Sequence, residues 1–468
     1  MTFAPAAPGA RPLATVSIAT LGCRLNQVES QEMFALLEAH GFRGAAAGEG
    51  ADVNVVNTCT VTGRADFSDR QAIRRIRREQ PETLLVVTGC FAQTDPDAVA
   101  AIPGVDLVVG NQEKYQLPEL IRPLLEARAP RGARPPIRVA PIAAARSVPI
   151  APFSRVAGRS RAFVKVQDGC QHRCAFCIVP AARGASRSQE PAAVIEQVRA
   201  LAAAGYRDVT LTGVDLGHYG WDLVPRTTLA GLVTRLADTP GLTWLRLSSI
   251  LPAYMTDALI DAIAGSPVVA PHLHVPLQSG SDRVLRLMRR PYNARMYRRL
   301  VERLAARIPG LGLGTDLIAG HPGESPEDFA ETLMLVRELP LSTLHVFSYS
   351  DRRGTEAVRL PGRVPERVIG ERSRALRALG REKSLAFRRA LVGQVRSALV
   401  LETPDRATGL SAGLTAPYVE VLFEGGAELA RAVVAVEITA ATADRTLGRL
   451  AGAPRPSGLA LSSRAASA

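Results

Sequence analysis

Three cysteines lie within eight residues of this chain, at Cys170, Cys174 and Cys177. Thiolates are soft ligands that suit iron–sulfur clusters, and three of them can hold three corners of a cubane cluster. The fourth iron is then open to a small molecule, which is a catalytic arrangement rather than a structural one. A zinc knuckle is the alternative, but it requires four ligands in two C-x2-C pairs, and the nearby sequence contains no second pair.

The other three cysteines, Cys23, Cys59 and Cys90, all fall within the first hundred residues. Each follows a short apolar segment that we interpret as a β-strand. Loops after neighbouring strands of a parallel sheet meet at one edge, so we expect these thiols to converge on a second cluster. A buried structural cysteine is the alternative for any one of them, because free cysteine is often fully buried.

Strand and helix patterns alternate around these first cysteines. We predict strands over residues 14–20, 53–56, 84–87 and 106–109, and helices over residues 26–40, 66–80 and 112–128. Asn26 is expected to cap the first helix and Gly41 to end it. This alternation, with continuous apolar strands, predicts a parallel α/β domain. Residues 129–160 are rich in Pro and Arg without periodicity, which predicts a linker.

Alternation resumes near residue 161. We predict six strands over residues 162–167, 207–212, 243–248, 270–275, 311–318 and 342–348. Six strand–helix repeats indicate a partial parallel barrel, whose active site lies at the carboxyl ends of its strands. Several loops there could position a ligand, although each could equally be a simple turn. The residues selected as candidate cofactor contacts are Phe176, Thr212, Gly213, Asp215, Ser248, Gln278 and Asp316.

The rest of the chain changes character. A long helix is predicted over residues 365–390, followed by short β-rich runs within residues 392–450 that indicate a small antiparallel barrel. Residues 1–12 and 453–468 are predicted to be disordered.

Composition limits the class of protein. No run approaches the ~18 apolar residues of a membrane span, and the first residues do not resemble a signal peptide. The net charge of +13 suits a polyanionic partner, with nucleic acid first. Only three of the 57 basic residues are lysine, so GC-biased codons would give the same excess of arginine. Arginine clusters at residues 74–78 and 283–299 are either RNA contacts or solvated helix faces. His172, between the cysteines, is interpreted as a loop residue.

These motifs together resemble the methylthiotransferase family of radical S-adenosylmethionine (SAM) enzymes, over about residues 14–452. The segments that carry the resemblance occur in family order, namely Gly22-Cys23, Asn57-Thr58-Cys59, Gly89-Cys90, the cysteine loop with Phe176, and segments 274–280, 316–324 and 349–355. The resemblance implies an α/β fold in three parts, with a parallel N-terminal domain (residues 14–128), a radical SAM partial (β/α)6 barrel (156–388) and a TRAM-like RNA-binding β-barrel (389–452). Residues 129–155 would link the first two parts.

The resemblance also implies chemistry. Two [4Fe-4S] clusters would be held by Cys23, Cys59 and Cys90 and by Cys170, Cys174 and Cys177, the second of which would cleave SAM. Two SAM molecules are consumed per turnover, one as methyl donor and one as radical source. The implied partners are a tRNA anticodon stem-loop and an electron donor of the flavodoxin or ferredoxin type, in the cytoplasm and without a membrane. The sulfur donor stays unassigned.

Within the family, residues 22–27 and 57–62 resemble the group named MtaB, which acts on N6-threonylcarbamoyladenosine at position 37, just 3′ of the anticodon. Two residues depart from the family pattern, Ala181 where Tyr is usual and His321 where Phe is usual. Three alternatives stay open. They are action on isopentenyladenosine in tRNA, action on a ribosomal-protein aspartate, and a non-catalytic iron–sulfur protein that binds RNA.

Overall fold

The computed structural model describes residues 12–46, 49–127, 134–149 and 159–452, and the chain divides into two compact units after residue 384. Across these ranges no helix is long and apolar enough to cross a membrane. The tails predicted to be disordered, residues 1–12 and 453–468, lie outside the described residues apart from Pro12.

The first part of unit one is a six-stranded, wholly parallel sheet with the order β2-β1-β3-β4-β5-β6. Its strands are β1 Thr15–Thr20, β2 Arg43–Gly44, β3 Val53–Thr58, β4 Leu84–Gly89, β5 Leu107–Val109 and β6 Ile137–Arg138. Its helices are α1 Arg24–Ala39, α2 Gly63–Glu79, α3 Cys90–Thr94, α4 Pro96–Ala100 and α5 Leu117–Ala127. Every residue of β3 is buried, because separate apolar clusters cover the two faces of the sheet.

The parallel α/β prediction is confirmed. Within the predicted linker, Ile137 and Arg138 form a strand that was not predicted and that extends the sheet beside Val108 and Val109. A two-residue strand is too short to show periodicity in the sequence. The first helix begins at Arg24, so Asn26 lies inside it and does not cap it.

The second part of unit one is a partial barrel of parallel strands. Its strands are β7 Ala162–Lys165, β10 Asp208–Thr212, β11 Trp244–Leu247, β12 His272–His274, β13 Gly312–Ala319 and β14 Thr343–Ser348, with a small ribbon of β8 Gln167–Asp168 and β9 Arg187–Ser188. They form the sheets β11-β10-β7 and β12-β13-β14, which meet at a parallel bridge between Leu245 and Val269. All six predicted strands are therefore confirmed.

Six helices pack outside the barrel and enclose its apolar core. They are α7 Pro191–Ala203, α8 Leu229–Ala237, α9 Asp257–Ala264, α11 Ala294–Arg307, α12 Pro326–Glu338 and α13 Glu366–Arg389. Two short helices, α6 Val179–Arg183 and α10 Asp282–Leu287, lie in the loops. Helix α12 shows why such helices begin where they do. The Ser325 hydroxyl accepts from the backbone N–H of Asp328, whose carboxylate accepts from the Ser325 N–H, which completes a capping box.

Unit two contains a closed five-stranded barrel with the order β15-β16-β17-β19-β18. Its strands are β15 Val395–Val400, β16 Ser411–Thr415, β17 Glu420–Phe423, β18 Val433–Ala441 and β19 Thr446–Leu450. Every pair is antiparallel except β17 with β19, and Val421, Phe423, Val436 and Ile438 are among the residues that fill the interior. The prediction of a small barrel is confirmed.

Candidate functional site

The loop between β8 and α6 carries Cys170, Cys174 and Cys177, at the carboxyl end of the first barrel strand. All three thiols are partly buried. Burial raises the pKa of Cys170 to about 12 and that of Cys177 to about 11, and repulsion from the other thiols of the loop adds to both shifts. Three thiols that disfavour one another as anions are the donor set that iron cations would stabilise.

One side of this loop is lined by a partly buried cation. The Arg290 guanidinium lies with Nη1 3.3 Å from the Cys174 Sγ and stacks over the Phe176 ring at 5.3 Å from its centroid. Burial by itself lowers the pKa of Arg290, but Tyr292 and the three thiols raise it. This arginine therefore stays charged beside the thiols. No local sequence signal distinguishes it from its arginine neighbours.

Asp215, predicted as a cofactor contact, lines the other side. Its Oδ2 is 3.9 Å from the Cys170 Sγ and 3.4 Å from the His172 Nε2, and burial raises its pKa to about 6. His172 also lies 2.8 Å from the Tyr254 hydroxyl, so this loop residue orders the site without joining the thiols.

Gly213 has a structural role. A Cβ there would lie 2.7 Å from the Gln167 Oε1, the atom that accepts from the Asp215 N–H at 2.8 Å. The glycine thus lets Gln167 hold the Asp215 turn. Thr212, the last residue of β10, is buried and its carbonyl accepts from the Val166 N–H.

Farther round the barrel, three polar side chains from neighbouring strands meet. His274 Nε2 is 3.2 Å and His345 Nδ1 is 3.5 Å from Asp316 Oδ1, and the two imidazoles stack with centroids 5.1 Å apart. Burial by itself raises the pKa of Asp316, but the adjacent His274 and His345 imidazoles hold it well below its usual range. Asp316 therefore stays ionised. His345 was not among the predicted site residues.

Gln278, also predicted, adopts a left-handed backbone with φ of 70°. Its N–H donates to the Asp316 carbonyl, and its own carbonyl accepts from the Ile318 N–H. Such a conformation in a residue other than glycine is uncommon and persists where surrounding contacts impose it. These two bonds pair the Gln278 backbone with β13.

The residues at this end of the barrel fit SAM. Three of their polar atoms, Asp215 Oδ1, Ser248 Oγ and His321 Nε2, are buried and have no hydrogen-bond partner among the described residues. Buried polar atoms are nearly always hydrogen-bonded, so unsatisfied ones indicate a polar ligand. SAM presents amino, carboxylate and hydroxyl groups that could complete these bonds.

The second thiol set lies at the carboxyl ends of three adjacent strands. Cys23 follows β1, Cys59 follows β3 and Cys90 follows β4 directly, and these strands neighbour one another in the sheet. Cys23 is exposed, whereas the other two are buried. Burial raises the pKa of Cys59 to about 12 and also raises that of Cys90, with repulsion from Cys23 adding to both shifts. The structure therefore brings the three predicted ligands together.

Glycines allow these loops to come close. Gly22 has φ of 94°, and a Cβ there would lie 2.6 Å from the Cys59 Sγ. Gly89 has φ of 98°, and a Cβ there would lie 2.4 Å from the Thr58 carbonyl oxygen. Side chains at either position would be strained and would collide with the next loop.

Asn26 joins the loops of two of these cysteines. Its Nδ2 donates to the carbonyls of Leu21 and Thr58 at 2.8 Å each. Its Oδ1 accepts from Arg183 Nη2 at 2.9 Å and lies 3.8 Å from the Cys23 Sγ. Capping was the wrong role for Asn26, because distant partners use both ends of its amide.

A buried group of charges connects the sheet with the barrel, and we call it the Glu29 ion cluster. At its centre Glu29 lies 2.6 Å from Lys114, 2.8 Å from Arg183 and 3.4 Å from Lys165. Across the described residues its members are Glu29, Glu32, Lys114, Lys165, Asp168, Arg183 and Arg187. Two of the chain's three lysines are therefore fully buried.

A second connection uses the loop after β14. The Ser350 hydroxyl accepts from the Gly63 N–H at 2.9 Å, and Arg352 pairs with Asp66 at 2.7 Å and also contacts the Thr60 hydroxyl. Arg352 therefore holds the segment that directly follows Cys59. Its neighbour Arg353 is exposed.

The two arginine clusters are only partly available to RNA. Arg77 binds Asp106 and three backbone carbonyls, while Arg74, Arg75 and Arg78 are exposed. In the arginine cluster at residues 283–299, carboxylates pair with Arg283, Arg289 and Arg298. Much of this predicted basic face is therefore neutralised within the protein.

The two departures from the family pattern differ in burial. Ala181 is exposed on α6. His321 is fully buried, and its ring meets that of Phe176 edge to face at 6.3 Å, on the cysteine loop. Burial lowers its pKa to about 4, so His321 is neutral and packs as a ring beside Phe176.

Comparison with known proteins agrees with this architecture. Residues 15–110 match the family described as Uncharacterized protein family UPF0004, and residues 164–336 match the Radical SAM superfamily. The radical S-adenosylmethionine methyltransferase TsrM of Kitasatospora setae, with cobalamin and a [4Fe-4S] cluster bound, aligns with a TM-score of 0.53. It shares 18% identity over 71% of this chain and 74% of its own, which shows a common fold.

Relatives match over nearly the whole chain. The threonylcarbamoyladenosine tRNA methylthiotransferase MtaB of Bacillus subtilis (strain 168) is 38% identical over 91% of this chain and 94% of its own length. The MtaB of Aquifex aeolicus (strain VF5) is 38% identical over 89% and 98%. A tRNA-2-methylthio-N(6)-dimethylallyladenosine synthase of Mycobacterium bovis is 39% identical over 86% and 80%. The chain therefore belongs to the methylthiotransferase family of the radical SAM superfamily.

Proposed function

We propose that this protein converts N6-threonylcarbamoyladenosine at position 37 of tRNA into its 2-methylthio derivative. The observation that carries the proposal is the presence of two thiol triplets, each at the carboxyl edge of a parallel sheet, within one compact unit. The identity of the two MtaB relatives supports the threonylcarbamoyl substrate. Superfamily membership implies SAM and one [4Fe-4S] cluster, and the second cluster is part of the proposal.

We assign the cluster ligands to the two thiol triplets. Cys170, Cys174 and Cys177 would hold the cluster that binds SAM, and the sheet-edge triplet would hold the second. When bound, the first cluster would supply reductive cleavage of SAM to a 5′-deoxyadenosyl radical, and the second would carry the sulfur that receives the methyl group. An adenine C2–H bond is neither acidic nor electrophilic, which is why radical chemistry is required. The cofactors carry that chemistry while the protein supplies ligation and alignment.

The chain's own residues would orient the first SAM molecule. Asp215, Ser248 and His321 each present a buried, unsatisfied polar atom after the carboxyl end of a barrel strand, within the part of the chain that the structure describes. Arg290 places a positive charge against the Cys174 thiol. Asp316, held as an anion by His274 and His345, would accept hydrogen bonds from a ligand hydroxyl or amino group. Thr212, Gly213 and Gln278 would contribute mainly through their backbone.

The domain assignments are also proposed. Residues 14–128 would carry the second cluster, residues 129–155 link it to the radical SAM core at residues 156–388, and residues 389–452 form a TRAM-like module for the anticodon stem-loop. The closed barrel and the basic charge of the chain support this reading. We propose a cytoplasmic location because tRNA is the substrate, and a flavodoxin or ferredoxin as electron donor because cleavage of SAM is reductive.

Nucleoside mass spectrometry of tRNA from a deletion strain tests the substrate. Loss of the 2-methylthio group from threonylcarbamoyladenosine alone is expected. Loss from isopentenyladenosine would redirect the assignment to that branch. Unchanged tRNA with an unmodified ribosomal-protein aspartate would favour the protein substrate. Unchanged tRNA and protein would favour a non-catalytic RNA-binding role.

Paired variants separate the two thiol sets. Cys59→Ala should abolish methylthiolated tRNA while 5′-deoxyadenosine formation continues, because the SAM-binding triplet stays complete. Cys174→Ala should abolish both products. Both products are quantified in one anaerobic reaction with reductant, SAM and tRNA, so each variant carries its own control. A Cys59→Ala enzyme that methylthiolates tRNA at the wild-type rate would exclude the proposed reaction.

A further inference from the structure

One short segment links the two thiol sets. Helix α6 begins two residues after Cys177 and ends at Arg183, whose side chain crosses into the Glu29 ion cluster and reaches Asn26. We propose that Arg183 is a positioning residue for the second cluster, holding its loops together and making its reduction easier. This inference rests on the proposed function, because it takes Cys23, Cys59 and Cys90 as cluster ligands.

The contacts of Arg183 carry the first step. Its Nη2 donates at 2.9 Å to the Asn26 Oδ1, the same oxygen that lies 3.8 Å from the Cys23 Sγ. The other end of that amide binds the carbonyl of Thr58, the residue before Cys59. The short helix that opens with Cys90 packs against α6 itself. Arg183 therefore touches the support of all three cysteines.

Charge carries the second step. Within the described ranges the Glu29 ion cluster holds four cations and three carboxylates, which leaves one positive charge in excess. Most of these side chains are almost fully buried, and a buried charge without a partner is costly. Of these cations, Arg183 is the one that reaches Asn26, beside the Cys23 thiol. Three deprotonated thiols holding iron would place negative charge on that side of Arg183.

Electrostatics identify which cation faces the thiols. Burial by itself lowers the pKa of Arg183, but Cys90, Glu29 and Asp168 raise it well above its ordinary value, Cys90 most of all. A fixed cation beside a cluster favours the form that carries one more electron.

The experiment measures the midpoint potential of the second cluster in full-length protein. Cys170, Cys174 and Cys177 are replaced by Ala so that only this cluster contributes to the electron paramagnetic resonance signal. Arg183→Gln should make one-electron reduction about tenfold less favourable, a shift of about 59 mV to lower potential for a one-electron couple. Arg183→Lys, which keeps the charge, should shift it by less.

Arg187→Gln is the matched control. Arg187 is equally buried in the same ion cluster and pairs with Asp168, but Asn26 is not among its contacts in the described structure. The control should keep the parent potential. An unchanged potential in Arg183→Gln, or an equal shift in Arg187→Gln, would overturn the inference.

Two further measurements cover loss of folding or of iron. If Arg183→Gln does not fold, the double variant Glu29→Gln/Arg183→Gln is measured instead. It removes both partners of one buried ion pair, so neither charge is left unpaired, and its midpoint potential should still be lowered. Iron lost from Arg183→Gln but kept in Arg187→Gln would support the positioning role. A parent protein that binds no cluster at the sheet edge would refute both this inference and the two-cluster proposal. If the parent protein binds the sheet-edge cluster but Arg183→Gln does not shift its midpoint potential, only this inference would be refuted.

Discussion

Replacing Arg352 by Ala should uncouple sulfur transfer from SAM cleavage. Arg352 lies on the loop after β14 and pairs with Asp66 at 2.7 Å, seven residues beyond Cys59. It is one of the contacts that hold the second thiol set against the barrel. Neither residue touches the Cys170 loop in the described structure, so the variant should still bind and cleave SAM.

The size of the effect follows from burial. An exposed ion pair contributes about 1 kcal/mol or less, whereas removing one partner of a buried pair costs about 3–5 kcal/mol. The Arg352 and Asp66 side chains are 11% and 14% exposed, which is nearer the buried limit. We therefore expect Arg352→Ala to cost about 2 kcal/mol, which lies between the exposed and the buried values. This corresponds to a roughly thirtyfold lower population of the arrangement in which the second thiol set is held against the barrel.

The assay compares two products in one anaerobic reaction. In Arg352→Ala the ratio of methylthionucleoside to 5′-deoxyadenosine should fall by about thirtyfold, with deoxyadenosine formation largely unchanged. Arg353→Ala is the matched control, because Arg353 is the next residue along and is exposed. Adding Asp66→Ala to Arg352→Ala should cost less than the two single losses together, since the pair is already broken.

Two results would refute this reasoning. Equal product ratios in Arg352→Ala and Arg353→Ala would show that the ion pair does not align the thiol sets. Strictly additive losses in the double variant would show that Arg352 and Asp66 act independently.

Four more predictions follow from other features. Anaerobically reconstituted protein should bind about eight irons if both clusters are cubanes, and replacing the three cysteines after β8 by Ala should remove half of them, as measured by iron analysis. Gly22→Ala should lose iron from the sheet edge because its new Cβ would strike Cys59, whereas Gly41→Ala, with similar φ but open space, should keep it. Burial lowers the pKa of His321 in the folded protein to about 4, so as pH falls the unfolded chain takes up a proton before the folded protein does. Between pH 7 and 5 the free energy of unfolding should therefore drop by about 2 kcal/mol more in wild type than in His321→Phe, as measured by urea titration. tRNA affinity should fall steeply with salt, and deleting residues 389–468 should weaken it far more than it slows SAM cleavage without RNA; equal tRNA affinity in the truncated protein would exclude an RNA-binding role for the tail.

Local patterns were enough to predict the positions of both thiol sets. The strands before Cys23, Cys59 and Cys90 are short, apolar and followed by glycine or polar turns, so their common edge could be inferred from alternation alone. The Cys170 loop was recognisable by spacing. The small C-terminal barrel was recognisable from its short β-rich runs.

Long-range contacts could not be predicted in the same way. Asn26 stands where a capping residue would, but its partners at Thr58 and Arg183 come from distant segments. Arg352 and Arg290 look like other arginines until folding places each beside its partner. The sequence shows that charged residues are abundant, whereas only the fold shows which of them form ion pairs with each other.

Burial of Lys114 and Lys165 also affects how this protein can be handled and modified. Both ammonium groups are enclosed in the Glu29 ion cluster, and the third lysine, Lys383, donates to the carbonyls of Arg337 and Leu339. Lysine side chains therefore offer few sites for acetylation or for amine-directed dyes and cross-linkers. The surface basicity is that of guanidinium groups, which stay protonated at any pH the fold survives. Labels for this protein are better directed to an introduced residue than to its amines.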